Sequence, residues 1–213
     1  MLTFRLHAAL AEIPAPQWDA LAGQAPLAHA QLAGLEASGC VAPRTGWTPR
    51  HAALWDGDTL VAAMPLYLKA HSYGEYVFDW AWADAYQRHG LAYYPKWLAA
   101  LPFTPVPGQR ILGRDEASRR LLLARVLEMV RNSGASSFHL LFPTGEEAGW
   151  LRDAGLALRH GVQFHWHNAG YASFDDFLAR LTHAKRKKIR QERRKVAEAG
   201  IDFRILRGAQ IGP

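Results

Sequence analysis

Residues 117–167 read ASRRLLLARVLEMVRNSGASSFHLLFPTGEEAGWLRDAGLALRHGVQFHWH, and the order of elements encoded there sets the fold class. Leu121, Leu122, Ala124, Val126, Leu127 and Val130 recur at helical spacing. A helix is therefore expected over 117–131, ended by Gly134. Residues 137–142 (SFHLLF) are a short apolar run of the buried-strand type, closed by Pro143. A helix over 146–153, Gly155 and a strand within 156–167 complete the series. Helix alternating with strand predicts an α/β layer architecture.

Working outward toward the N-terminus, residues 50–55 and 59–69 are apolar, β-compatible runs flanking Asp56-Gly57-Asp58. That step predicts a hairpin, because Gly57 can take the positive φ of the turn. Pro65 inside the second run points to an edge or a bulge. Residues 2–7 alternate as an opening strand, and two short helices follow within 17–39. A further strand is expected over 72–79, then a loop or short helix through 97–101. Pro102, Pro105 and Pro107 hold the next segment extended, and 110–112 suits a short strand.

Toward the C-terminus, Ser173 is a candidate N-cap with Asp175 and Asp176 in the first turn. The helical pattern runs from 174 to 199, about 26 residues and roughly 39 Å. Gly200 ends it, and a strand over 201–206 follows. That strand reads as the start of a second, truncated domain or as an addition to the first sheet.

Composition narrows the class. Hydrophobic residues make up 49% and charged residues 21%, which is globular and not disordered. No apolar run reaches the roughly 18 to 20 residues of a membrane span. Glu12 and Pro14 break the apolar N-terminus, so a signal peptide is not expected. A lone cysteine, Cys40, cannot form an internal disulfide, which makes the cytoplasm the expected compartment. The net charge of +6 is concentrated: residues 185–195 (KRKKIRQERRK) carry eight Lys/Arg and one Glu, so the rest of the chain is near neutral.

Candidate chemistry falls in 71–112. Nine of the residues from Tyr73 to Trp97 are aromatic, interleaved with Glu75, Asp79 and Asp84. Flat apolar area with a few orienting polar atoms suits a recognition wall. On an extended strand His71, Tyr73, Glu75, Val77 and Asp79 share one face, which is expected to be exposed. Ser72, Gly74, Tyr76, Phe78 and Trp80 share the other, expected to be core. Glu75 and Asp79 are then ~13 Å apart, too far for a two-carboxylate hydrolase. His71, Glu75 and Asp79 are the catalytic candidates, His71 or Glu75 as a single general base. Tyr73, Trp80, Trp82, Asp84, Phe103 and Arg110 are candidates for substrate binding.

Lys185, Arg186, Lys187, Lys188, Arg190, Arg193, Arg194 and Lys195 are the phosphate-binding candidates. Packed like charges call for a polyanion: tRNA, a nucleotide-sugar precursor or an anionic membrane surface. The run contains no aromatic residue, so contacts to a backbone and not base stacking are expected. His165 and His167 lie about 7 Å apart on a strand, yet no third ligand accompanies them, and no metal site is expected. G-x-S-x-G, Walker A and G-x-G-x-x-G patterns are missing.

Several stretches together resemble the FemAB-like family of peptidoglycan-biosynthesis-type proteins, within the GNAT acyltransferase superfamily. They are GWTPRH (46–51), PLYLKAHSYGEYVFDWAWADAY (65–86), YYPKW (93–97), PFTPVPGQR (102–110) and SFDDFL with KRKKIRQERRKVAEAGI (173–201). The resemblance implies a GNAT-like domain over 1–170, with a mixed, mostly antiparallel sheet flanked by helices. Residues 171–213 would then hold the basic helix and the first strand of an incomplete second domain. Characterised relatives transfer an amino acid from aminoacyl-tRNA to the peptide-stem amine of a cell-wall precursor. The implied function is aminoacyl or acyl transfer to an amine, in the cytoplasm or peripherally at the inner membrane face. Aminoacyl-tRNA and acyl-CoA are the candidate donors, with no tightly bound cofactor. The nearest match to the CoA-binding signature, RNSGAS (131–136), ends in Ser136 where a small Gly or Ala is needed. The alternative expectation is a non-catalytic GNAT-like module that binds a phosphate-bearing partner.

Overall fold

The computed structural model describes residues 1–23 and 25–211. In chain order the elements are β1 (Leu2–His7), α1 (Ala15–Ala22), α2 (His29–Ala37), β2 (Trp47–Pro49), β3 (His51–Asp56), β4 (Thr59–Met64) and β5 (Leu66–Lys69). Then come α3 (Trp80–Arg88), β6 (Lys96–Ala99), β7 (Leu112–Gly113), α4 (Glu116–Arg131), β8 (Phe138–Leu140), α5 (Gly145–Asp153), α6 (Phe174–Ala179) and α7 (His183–Glu198). The chain divides into two compact units, Met1–Arg159 and His160–Pro213.

The first unit is built on two four-stranded sheets, ordered β1-β3-β4-β7 and β2-β5-β6-β8. Every pairing is antiparallel except β6 with β8, which makes this a mixed α/β fold with mostly antiparallel sheets flanked by helices. The expected hairpin forms at Gly57 (φ 58°), joining β3 to β4. Pro65 has no N–H to donate and interrupts the ladder. There the chain leaves the first sheet as β4 and enters the second as β5. Its partner does the same at Arg50, whose N–H donates to Leu66 O at 2.8 Å.

Helices cover both faces of the first sheet, so β3 and β4 are buried almost without alternation. Ala53, Trp55, Leu60 and Leu112 face Leu10, Trp18, Leu27 and Leu32 of the α1–α2 layer. Ala52, Leu54, Val61 and Met64 face Leu122, Leu123 and Val126 of α4. Asp115 caps α4 by accepting from Ser118 N at 2.7 Å. In the second sheet Leu66, Trp97 and Ala99 join that same core, while the other face is different in kind.

Several expected elements did not form. Residues 72–79 are an irregular loop, and 96–99 are strand β6, not a loop or helix. No strand occurs within 156–167 or 201–206. The single helix over 174–199 is two helices, interrupted at Arg180, Leu181 and Thr182, with Thr182 in extended conformation before α7. Ser173 does cap α6, its Oγ accepting from Asp176 N at 3.1 Å. No helix among the described residues is long and apolar enough to cross a membrane.

Candidate functional site

Strand register defines a polar sheet face. Lys69 of β5 is in register with Trp47 of β2 and with Lys96 of β6. One step along, Tyr67 pairs with Leu98, and Leu98 with His139 of β8. Residues in register share a face, so Trp47, Lys69 and Lys96 form a row across three strands. Both lysines are fully buried. A buried ammonium costs several kcal/mol unless it is paired, so carboxylates must come from elsewhere.

The loop between β5 and α3 brings them. Lys96 Nζ donates to Ser72 Oγ at 2.8 Å, Glu75 Oε2 at 2.8 Å and Asp79 Oδ2 at 2.5 Å. Asp79 Oδ2 also accepts from Tyr93 Oη at 2.7 Å, and Tyr93 Oη lies 3.4 Å from His139 Nε2. Ser137 Oγ is 2.9 Å from the same imidazole nitrogen. Lys69 Nζ donates to Tyr73 O at 3.1 Å and sits 3.6 Å above the Trp47 ring. Glu75 Oε1 and Asp79 Oδ1 are buried without a hydrogen-bond partner among the described residues.

Environment separates the two carboxyls although they share Lys96. Burial pushes Glu75 up, and its one bond from Lys96 does not reverse this. Burial acts on Asp79 too, but hydrogen bonds from Lys96, Ser72 and Tyr93 outweigh it and bring it down to about 2. Burial pulls Lys69 down to about 7 and His139, with Lys96 beside it, down to about 4. Divergent carboxyls and depressed cations in one cluster mark it as the candidate site.

The same loop and the first turn of α3 turn their aromatics outward. Tyr73, Tyr76, Phe78, Trp80 and Trp82 are all exposed, Phe78 at 70%. Gly74, Tyr76 and Phe78 have φ of 81°, 60° and 53°, so the backbone reverses hand at alternate positions and cannot be a strand. The expected faces are therefore inverted from residue 75 onward. Glu75 and Asp79 point in (4% and 2% exposed), while Tyr76, Phe78 and Trp80 point out. The separation of ~13 Å on an extended strand does not apply, because both carboxylates touch one nitrogen. Gly74 is required where it stands: a Cβ there would lie 2.7 Å from the Phe103 ring. Gly46 has φ 72°, and a Cβ there would lie 2.2 Å from His71 Nε2. His71 Nδ1 accepts from Tyr73 N at 3.2 Å, and the two rings are 5.2 Å apart.

Of the remaining candidates, only Phe103 borders this cluster. Trp82 and Asp84 are on α3, with Asp84 paired to Arg88 at 2.8 Å. Phe103 packs on Trp47 at 5.5 Å. Arg110 is fully buried and donates to Val106 O and Gln109 O at 2.5 and 2.7 Å, so it braces the proline-rich segment instead of facing a ligand. In the second unit, α7 has no buried residue and presents Lys185, Arg186, Lys187, Lys188, Arg190, Arg193, Arg194 and Lys195. Arg190 reaches Asp175, and Arg193 lies over the Phe174 ring. His165 and His167 have ring centroids 6.4 Å apart. Among the described residues no group of three or more His, Cys, Asp or Glu could hold a metal. Sequence reasoning overlooked Lys69, Lys96, Tyr93 and His139; lysines at both ends of otherwise apolar strands, LYLK and KWLA, were the available signal.

Fold and site together define a mixed α/β protein with a buried ionic cluster beneath an exposed aromatic loop. The chain belongs to the FemAB-like family, described as peptidoglycan biosynthesis/recognition, whose model matches residues 9–213. A search of curated protein sequences gave no match. Among solved structures it is similar to a ribosomal-protein-alanine N-acetyltransferase from Brucella melitensis biovar Abortus 2308. That match has 13% identity and TM-score 0.42, covering 80% of this chain and all of that one. It is also similar to an acetyltransferase from Trypanosoma brucei, with 12% identity and TM-score 0.44, covering 79% of this chain and all of that one.

Proposed function

We propose that this protein is a FemAB-type, GNAT-like acyltransferase that delivers an aminoacyl or acyl group to an amine. The carrying observation is the Lys96–Glu75–Asp79 cluster, buried on a sheet face under a loop that, with the first turn of α3, exposes five aromatic side chains. A fold needs no such cluster for stability, because apolar residues of the same volume would serve as well or better. Family membership favours a cell-wall precursor as acceptor. In this reading the aromatic loop is the acceptor wall, and Glu75, Asp79 and His71 supply the proton chemistry. The acceptor nitrogen attacks the acyl carbon, the bond to the donor oxygen or sulfur breaks, and the leaving group carries off a proton. Positioning of the two reactants accounts for much of the rate.

The donor is aminoacyl-tRNA or acyl-CoA. The cations of α7 favour a phosphate-rich donor, and the same helix suits an anionic membrane surface at the cytoplasmic face. At α4, Asp115 already occupies the helix N-terminus, which weighs against a pyrophosphate there. Incubating the whole chain with each donor and a panel of primary amines, with products weighed by mass spectrometry, tests the proposal. An amide product with either donor supports it, and its absence with both removes it. That α7 buries none of its residues favours a second reading, a module that binds a phosphate-bearing partner without catalysis.

A further inference from the structure

The Lys96 cluster is enclosed, yet a chain of hydrogen-bonding groups leads out of it. Asp79 Oδ2, which accepts from Lys96 Nζ at 2.5 Å, also accepts from Tyr93 Oη at 2.7 Å. That bond uses the proton of the phenol, so toward His139 the oxygen can only accept. His139 Nε2 lies 3.4 Å away, and the imidazole is half-buried, which brings it to solvent. Enclosed carboxylate, buried phenol and half-buried imidazole thus form a line from the cluster to the surface.

Tyr93 is fixed in this position. Ser136 Oγ donates to its carbonyl, and the rings of Tyr86 and Tyr94 stand edge-on to it at 5.1 and 5.0 Å. His139 faces Ser137 on its own strand, Tyr93 and Lys96 of the neighbouring segment, Asp79 of the loop, and Arg159. Burial, with Lys96 and Arg159 nearby, keeps it neutral at neutral pH. A neutral imidazole gives a proton from one nitrogen and takes one at the other, which is what a shuttle requires. A second branch leaves Lys96 through Ser72 Oγ to Tyr94 Oη, each link 2.8 Å. It ends on a phenol, whereas imidazole is the side chain suited to shuttling protons near neutrality.

We propose that Tyr93 and His139 are the proton path between solvent and the Glu75–Asp79–Lys96 cluster. A proton arriving at His139 Nδ1 lets Nε2 pass its own to Tyr93 Oη, as Oη passes its own to Asp79 Oδ2. The reverse order carries one out. One proton crosses per event, and Tyr93 and His139 each end with the number they began with. The use of the path rests on the acyltransferase reading. Glu75, having taken the proton of the acceptor, hands it to Lys96 as Lys96 hands one to Asp79, and the path returns it to solvent before the next turnover.

The test needs no acyl donor. The whole chain, isotope-labelled at its lysine nitrogens, is diluted into heavy water at neutral pH, and exchange at Lys96 Nζ is followed by NMR. His139→Gln and Tyr93→Phe, checked for unchanged melting, should each slow that exchange by at least about tenfold. A merely structural role has the opposite sign, since loosening an enclosed site speeds its exchange. Tyr94→Phe, which cuts the other branch, should leave the rate at the wild-type value. Wild-type or faster exchange in His139→Gln overturns the path, and so does slowing in Tyr94→Phe alone. Acyl transfer by a chain whose exchange ignores His139→Gln would refute the path and leave the acyltransferase reading intact. Slowed exchange in the variants of a chain that transfers no acyl group would keep the path and remove that reading.

Discussion

Lys69 and Lys96 stand opposite each other on neighbouring strands, and neither has any solvent exposure. Like charges in register across a ladder are destabilising, and burial makes the conflict worse. Glu75 and Asp79 resolve it, and in doing so they fold the loop over 70–79 onto the sheet with its aromatic side chains outward. The charged pair thus determines where the candidate acceptor wall stands.

Removing Lys96 should be severe. Lys96→Met leaves two buried carboxylates without their shared counter-ion, and a loss of about 3–5 kcal/mol at neutral pH is predicted. Denaturant unfolding measures it. Adding Glu75→Gln and Asp79→Asn in the same chain should restore most of the stability. If the triple variant is no more stable than Lys96→Met alone, the carboxylates are not what Lys96 compensates.

The cluster should write two opposite signatures into stability against pH. Asp79 is held at about 2, below its unfolded value of 3.8, so its contribution is present above pH 3.8 and is lost as pH falls through 2. About 2 kcal/mol is at stake, and Asp79→Asn should remove that slope. Glu75, raised by burial, runs the other way, so the Asp79 comparison is cleanest in a Glu75→Gln background. Lys69 is lowered from 10.5 to about 7, so between these values the unfolded chain binds more protons. Stability should therefore rise with pH from 7 toward 10.5, by up to about 1.4 kcal/mol per pH unit, and Lys69→Met should flatten the rise.

Phe78 is held at φ 53° with its ring in solvent. A non-glycine residue in that region carries roughly 1–2 kcal/mol of steric strain. Phe78→Gly should relieve part of it, stabilising the fold by about 0.5–1 kcal/mol, while raising KM for the amine acceptor. Paired melting and kinetic measurements check both. A destabilised Phe78→Gly would mean that the ring supports the loop and is not displayed for a ligand.

What was legible in the sequence was the framework. The helix at α4, the Gly57 hairpin and the α/β class follow from local periodicity and turn chemistry, which short windows contain, whereas the mostly antiparallel sheet was implied by the family resemblance. The division of 72–79 into two alternating sets was also visible, but its sense was not. Alternation says which residues share a side; long-range partners say which side is inside. Here that partner is Lys96, lying 21 residues beyond Glu75. β6 was missed because KWLA is too short to show a period. The break at 180–182 was missed because Leu178, Leu181 and Ala184 keep helical spacing across it.

The second unit predicts a salt signature. If α7 contacts a nucleic-acid backbone through several of its eight cations, tRNA affinity should drop steeply between about 50 and 200 mM salt. Fluorescence anisotropy with labelled tRNA measures this. Charge reversal at Lys187 and Lys188 should reduce the slope as well as the affinity. A salt-independent affinity would remove the helix from donor binding.

The most direct measurement is the rate of acyl transfer to a primary amine by wild type and Glu75→Gln, both shown to be folded by their melting transitions. Loss of a general base in a site of this kind predicts a fall in kcat/KM of at least about 100-fold. The loss should grow smaller as pH rises and the acceptor deprotonates in solution. Wild-type turnover by Glu75→Gln across the pH range would contradict the account.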